Sequence, residues 1–201
     1  MQYTFSPISH LDPAGLAGLA SLHSAVMHTL LADLGAPLVL HYYEAAQADP
    51  CVLGLCASAP DDSPLAWALG SPDPAALNAR LRQPPVWFAG QMIRLVFTRP
   101  AAFIELLRSV FSTNQANTLP SGQIELTYIG VAPQAQGQGL GRAILAAFIA
   151  GAKSAGYTSI ALSVETDNPA AVALYTKSGF QISQSFTEGR FKRHRMQYPL
   201  L

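Results

Sequence analysis

Three alternating glycines, Gly137, Gly139 and Gly141, lie between an apolar run and an alanine-rich segment. Glycine adopts positive φ easily and lets the backbone approach a bulky anion closely. The first amides of a helix have no acceptor within it, and the helix dipole adds partial positive charge there. A helix that begins near Leu140 would therefore offer a site for a pyrophosphate, and Arg142 would add a full charge to it.

Two common phosphate-binding loops do not fit this segment. A P-loop ends in Gly-Lys-Ser/Thr, whereas this loop ends in Gly-Leu-Gly-Arg. The dinucleotide pattern G-x-G-x-x-G would need a glycine where the sequence has Arg142 or Ile144. A dinucleotide-binding loop also directly follows its strand, whereas in this sequence the stretch VAPQAQ lies between the strand and the first glycine. Glu165 follows the next strand, at about the sequence separation from the loop that a ribose-binding acid has in dinucleotide-binding proteins. An NAD-type binder therefore stays open as an alternative.

A third pattern, Gln/Arg-x-x-Gly-x-Gly/Ala, is met by Gln136, Gly139 and Gly141. Further along, the run from Asn168 to Phe180, NPAAVALYTKSGF, matches N-x-x-A-x-x-L-Y-x-x-x-G-F. With both motifs in this order, residues 122–180 resemble the acetyl-CoA-binding core of the GNAT superfamily of N-acetyltransferases. The N-terminal half of the chain is compatible with that family but does not identify it.

The resemblance implies a cofactor site and no metal. Asn168 also fits the N-cap of a helix whose first residue is Pro169. A strand bulge around 129–131, which Gly130 would suit, would leave free N–H groups to polarise the thioester carbonyl. The residues implied to bind acetyl-CoA are Ile129, Val131, Gln136, Gly137, Gln138, Gly139, Leu140, Gly141, Arg142 and Asn168.

The resemblance also implies two catalytic residues. In the histone-acetyltransferase branch, a glutamate at the position of Glu125 is the general base; the alternative here is a solvated carboxylate at a strand end. In the family, the tyrosine matching Tyr175 protonates the departing thiolate; the alternative is a core aromatic. Simple strand alternation places Glu125, Thr127 and Ile129 on one face and Tyr128 on the other.

The implied activity is direct transfer of acetyl from acetyl-CoA to an amine in a ternary complex, without an acyl-enzyme. The amine must be neutral to attack. At pH 7, deprotonation costs roughly 4.6 kcal/mol for a lysine-like amine of pKa about 10.4, but only about 1 kcal/mol for an α-amino group. The sequence leaves the acceptor open between small molecules and peptides. A non-catalytic acyl-CoA sensor is the alternative from another functional class.

The surrounding pattern predicts the elements that would position these residues. Helices are predicted within 13–34, a hairpin over 50–57 and 65–70, and further strands at Phe180–Ser185 and Phe191–Tyr198. The core is predicted as a strand at Ile124–Val131, a helix at Leu140–Ala155, a strand at Thr158–Val164 and a helix at Pro169–Ser178. The expected fold is α/β: one domain over 1–201, with a mixed, mostly antiparallel, splayed sheet flanked by helices. Residues 72–120 are predicted as a helical insertion between the third and fourth strands.

Composition limits the remaining possibilities. Half of the residues are hydrophobic and the net charge is zero, which favours a sizeable core and argues against a general nucleic-acid or membrane-surface binder. No signal peptide or membrane span is predicted, a cytoplasmic location is expected, and a homodimer is left open. The stretch His41–Glu44 is interpreted as surface packing, with the lining of an acceptor pocket as the alternative. The basic cluster at 190–195 is interpreted as a solvated edge strand, with a site for an anionic acceptor as the alternative.

Overall fold

The computed structural model describes residues 2–104, 106, 119–188 and 191–200. Within them, seven strands form one sheet in the order β1-β2-β3-β4-β5-β7-β6. Every neighbouring pair is antiparallel except β4 and β5, which are parallel, so the predicted mixed, mostly antiparallel sheet is confirmed. The strands are β1 Thr4–Pro7, β2 Leu53–Ser58, β3 Pro64–Ser71, β4 Gln123–Val131, β5 Ser159–Glu165, β6 Gln181–Glu188 and β7 Phe191–Pro199.

Helices cover both faces of the sheet. One core lies on the face of the sheet covered by the helix Leu140–Ser154 (α6), which we call the α6 face, and contains Ile144 and Phe148 together with Tyr175. A second core, on the α1 face, contains Leu19, Tyr43 and Trp67. The labelled helices are α1 Pro13–Val26, α2 Leu30–Leu34, α3 Ala36–Gln47, α4 Pro74–Arg80, α5 Pro85–Thr98, α6 Leu140–Ser154 and α7 Pro169–Lys177.

Within the described residues, the segment between β3 and β4 is mainly helical, as predicted. It contains α4 and α5, and residues 100–104 are helical as well. Asp73 caps α4 by accepting a hydrogen bond from the amide of Ala76 at 2.9 Å. The rest of the predicted insertion includes residues 105 and 107–118, which lie outside the described residues.

Helix α3 was not predicted, and the interpretation of His41–Glu44 as surface packing is only partly right. His41 does lie near the surface, where its Nε2 donates a hydrogen bond to the carbonyl oxygen of Gln83 at 2.6 Å. Tyr42 and Tyr43 instead belong to the core, with 1% and 0% of their surface exposed. Their rings meet edge to face at 5.7 Å, so this part of α3 fills the space above the sheet.

The sheet opens between β4 and β5. These strands pair only from Gln123–Ser159 to Leu126–Leu162, although β4 continues to Val131 and β5 to Glu165. Beyond the last pair, the backbone groups that β4 directs towards β5 have no partner on that strand. The predicted splay is therefore present, and it lies directly before the glycine loop.

Because of a bulge at Thr127, some side chains of β4 point to the opposite face of the sheet from the one predicted. Leu69 is opposite Tyr128 while Gly70 is opposite Leu126, so Thr127 is the extra residue. Leu126 and Ile129 consequently both pack on the α6 face. Tyr128 packs on the α1 face, the side to which Glu125 also points. The prediction that Glu125 shares a face with Ile129, and that Tyr128 lies opposite, is wrong.

Gly130 has a different role from the predicted one. The bulge lies at Thr127, closer to the start of β4 than the expected 129–131. A Cβ at Gly130 would come within 2.4 Å of the ring of Trp67, which is fully buried. A side chain at this position would overpack the core, so glycine is required by the close approach of the indole ring.

Candidate active site

The glycine loop ends in an uncapped helix N-terminus. Gly137 and Gly139 have φ of 73° and 80°, in the left-handed region that favours glycine. Gly139 is the N-cap of α6 and provides no side-chain hydrogen bond to the helix amides. A Cβ at either glycine would meet no atom within 4 Å, so this side of the loop is open. The first amides of α6 are thus available to an anion.

The loop places this helix end against the open part of β4. An added Cβ at Gly141 would lie 3.4 Å from Val131 and 3.9 Å from Leu174 on α7. Gln136 Nε2 donates to the carbonyl oxygen of Val131 at 3.2 Å. These contacts gather β4, the start of α6 and α7 in one place.

The other residues predicted to bind the cofactor lie on the loop, in the first turn of α6, near the end of β4 and at the start of α7. Gln138 Nε2 donates to the carbonyl oxygen of Gln134 at 3.0 Å, which braces the loop. Arg142 is exposed in the first turn of α6. Ile129 packs on the α6 face near the end of β4. Asn168 caps α7 as predicted, since its Oδ1 accepts from the amide of Ala171 at 3.1 Å.

Tyr175 lies on α7 in the α6-face core, with 7% of its surface exposed. Its ring centroid is 5.7 Å from that of Phe180. Within the described residues, its hydroxyl makes no hydrogen bond. Burial raises the pKa of Tyr175 well above its ordinary value, so the phenol is neutral and can donate a proton.

Glu125 is bound to an arginine that sequence reasoning did not connect with it. Arg195 Nη1 lies 2.9 Å from Glu125 Oε1, and Arg195 Nη2 donates to Glu125 Oε2 at 2.9 Å. The two side chains are 15% and 21% exposed. The alternative of a fully solvated carboxylate therefore does not apply. The prediction of a solvated edge strand at 190–195 is also wrong here, because β7 lies between β5 and β6.

A group of aromatic residues forms the wall next to Glu125 on the α1 face. The ring of Tyr128 meets those of Tyr42 and His23 edge to face, at 5.5 Å and 4.8 Å. Burial raises the pKa of Tyr128 to about 12, with a smaller opposing effect from Arg193. The wall therefore contains neutral phenols close to the Glu125–Arg195 ion pair.

His23 should make the stability of the fold depend on pH. The residue is fully buried, its Nδ1 lies 2.9 Å from the hydroxyl of Tyr43, and burial lowers its pKa from 6.5 to about 4. Below about pH 6.5 the unfolded chain binds a proton that the folded chain rejects, so stability falls as pH drops to about 4 and then levels off. The maximal loss from this group is about 3 kcal/mol.

Thermal unfolding between about pH 7 and pH 4 measures this effect. His23→Gln should be less sensitive to acid than the parent chain, whereas His10→Gln, at an exposed position, should behave like the parent. Equal acid sensitivity of the parent and His23→Gln would show that His23 does not carry the effect.

Comparisons with known proteins now decide the family. The model of the acetyltransferase (GNAT) family matches residues 41–180, which is more than half of the chain. The chain belongs to the GNAT acetyltransferase family. This GNAT domain has no group of three or more His, Cys, Asp or Glu able to hold a metal ion among its described residues. Within the same residues, no helix is long and apolar enough to span a membrane.

The curated relatives that this GNAT chain matches are longer proteins. The mycothiol acetyltransferase of Jonesia denitrificans is 35% identical over 104 residues, which cover 52% of this chain and 31% of the relative. That of Amycolatopsis mediterranei is 52% identical over 56 residues, covering 28% of this chain and 19% of the relative. The chain thus spans less than a third of the length of these relatives.

Solved structures agree on the GNAT fold. The ribosomal-protein-S18-alanine N-acetyltransferase from Escherichia coli superposes with a TM-score of 0.61 at 17% identity, over 99% of this chain and 94% of that one. An N-acetyltransferase from Thermoplasma acidophilum in complex with coenzyme A gives 0.59 at 13% identity, over 99% of each chain. At these identities the likeness establishes the fold alone.

Proposed function

We propose that this chain is an N-acetyltransferase that transfers the acetyl group of acetyl-CoA directly to an amine. The observation that carries the proposal is the uncapped N-terminus of α6, held by Gly139 against the open end of β4 and beside α7. The first amides of α6 would bind the pyrophosphate, with Arg142 and the glycine loop around it. Acetyl-CoA supplies the activated acyl group as a thioester.

Two side chains and the backbone of β4 would take part in the transfer. Glu125 would take a proton from the attacking amine, directly or through water. Backbone N–H groups of β4 beyond Leu126 would stabilise negative charge on the carbonyl oxygen. Tyr175 would donate its proton as the carbon–sulfur bond breaks. One C–N bond forms, one C–S bond breaks, and the products are an amide and a free thiol.

The acceptor would approach from the α1 face, where Glu125 and Tyr128 lie. The curated relatives are named mycothiol acetyltransferases, but the matches cover only 31% and 19% of those two proteins, so their acceptor is not assigned to this chain. We therefore propose an amine of a small molecule or a peptide, and retain the cytoplasmic location expected from the sequence.

Thermal shift followed by a turnover screen tests the proposal. At about a hundredfold excess over its dissociation constant, acetyl-CoA should stabilise the chain by about 2.7 kcal/mol, or several degrees, and NAD should not. Thiol release in the presence of an amine panel should then identify the acceptor. Stabilisation by NAD alone would contradict the proposal. Acetyl-CoA binding without thiol release from any amine would favour the non-catalytic acyl-CoA sensor.

A further inference from the structure

Arg195 makes a charged contact near the opening of the sheet. Its Nη2 donates a hydrogen bond to Oε2 of Glu125 at 2.9 Å and its Nη1 lies 2.9 Å from Oε1, so the guanidinium faces both carboxylate oxygens in a bidentate ion pair. Its Nη1 also donates to the hydroxyl of Ser163 at 3.1 Å. One arginine therefore fixes both a carboxylate on β4 and a hydroxyl on β5.

The position of this contact in the sheet is the second observation. Arg195 is opposite Ser163 in the β5–β7 ladder, and Glu125 is opposite Ala161 in the β4–β5 ladder. The side chain of Arg195 thus crosses β5 to reach β4. Glu125 immediately precedes Leu126, the last β4 residue paired with β5. The contact ties β7 to β4 just before the sheet opens.

The ion pair between Arg195 and Glu125 is partly buried, and its geometry is restricted. With the two side chains 15% and 21% exposed, solvent screens the pair less than it would a surface pair. The hydrogen bond from Nη2 to Oε2 and the close approach of Nη1 to Oε1 restrict the rotation of the carboxylate, and the hydrogen bond to Ser163 holds the guanidinium in place. Lysine, a single point of charge on a flexible stem, does not reproduce this arrangement.

We propose that Arg195 is a positioning residue for acetyl transfer, which holds the Glu125 carboxylate at the point where β4 separates from β5. The inference rests on the proposed function. Arg195 acts through Glu125, so its removal should slow turnover only while Glu125 is present. Each oxygen of Glu125 keeps a second lone pair, so the bidentate contact orients the proposed base without saturating it.

A double-mutant cycle tests this role. Arg195→Gln should lower kcat at least about tenfold, as expected when a reacting group is misplaced, with the KM for acetyl-CoA unchanged. In a Glu125→Gln background, Arg195→Gln should cause little further loss. Arg195→Lys should fall between Arg195→Gln and the parent. Arg80→Gln, which removes an arginine from a separate ion pair with Asp49, serves as the matched control and should retain the parental kcat.

The alternatives give different results. Arg195→Gln and Arg195→Lys variants with the parental kcat would overturn the inference and leave the proposed function intact. Losses that add in the double variant would show that Arg195 supports the fold rather than Glu125, and would also overturn it. If Arg195→Gln does not fold, Arg195→Lys, alone and with Glu125→Gln, gives the same comparison. A parent chain that binds acetyl-CoA but releases no thiol with any amine would overturn both proposals.

Discussion

Replacing Tyr175 by phenylalanine should lower kcat about a hundredfold or more, the range expected when a general acid is lost. The affinity for acetyl-CoA should stay within about twofold of the parent, because the proposed cofactor contacts are made by the glycine loop and the start of α6. The ring itself is kept, so its packing on Phe180 and the α6-face core should persist. Steady-state kinetics, with calorimetric titration of acetyl-CoA, separates the two effects.

The pH dependence of this loss provides a further check. Because burial raises the pKa of Tyr175, the phenol should keep its proton throughout the neutral range. The deficit of Tyr175→Phe should therefore be the same at about pH 6.5 and pH 8.5. Tyr157→Phe, which removes a hydroxyl 3.4 Å from the carbonyl oxygen of Cys51, is the matched control and should be fully active. Full activity of Tyr175→Phe would exclude this tyrosine as the acid.

The parts of the site governed by local rules could be predicted from the sequence. The glycines at 137 and 139 do adopt positive φ, and α6 does begin at Leu140. Asn168 followed by Pro169 specified a helix start, and α7 begins there with the expected cap. In each case the relevant energy comes from a few neighbouring residues, so the residue types alone identify the conformation.

The features that sequence reasoning missed depend on pairing between distant strands. The alternation of apolar and polar residues along a single strand does not reliably reveal a bulge. The side of the sheet to which Glu125 and Tyr128 point therefore could not be predicted, because it depends on the bulge at Thr127. Likewise, Arg195 meets Glu125 only because β7 pairs with β5 rather than lying at the sheet edge. Charge density along one segment gives no information on this strand order.

Helix α3 could have been found with the available signals. Its buried residues recur at helical spacing, with a proline in the first turn: Leu38, Val39, Tyr42, Tyr43 and Ala46. The stretch His41–Glu44 has polar residues at both ends, so taken alone it does not show this apolar stripe. The correct interpretation would have placed the two tyrosines in the core.

Glu125→Gln should impair a lysine-like acceptor more than an α-amino acceptor. Neutralising the first amine at pH 7 costs roughly 4.6 kcal/mol and neutralising the second about 1 kcal/mol, so the base has more to contribute to the first. We expect kcat/KM to fall about a hundredfold or more with an alkylamine but only about tenfold with an α-amine. Glutamine keeps the size of the side chain and one acceptor for Arg195, which limits structural damage.

Raising the pH should reduce the difference between the two amines in the loss of kcat/KM caused by Glu125→Gln, because a larger fraction of the alkylamine is then neutral before it binds. The loss of kcat/KM in Glu125→Gln with an alkylamine should shrink throughout the interval from about pH 7 to pH 9.5, whereas the smaller loss with an α-amine should shrink only up to about pH 8, where that amine becomes mostly neutral, and stay constant above it. Acetyl-CoA affinity, measured in parallel, should be unaffected. A deficit that is equal for both amines and constant with pH would mean that the proton leaves by another route. Glu125 would then serve the sheet through Arg195 and not the chemistry.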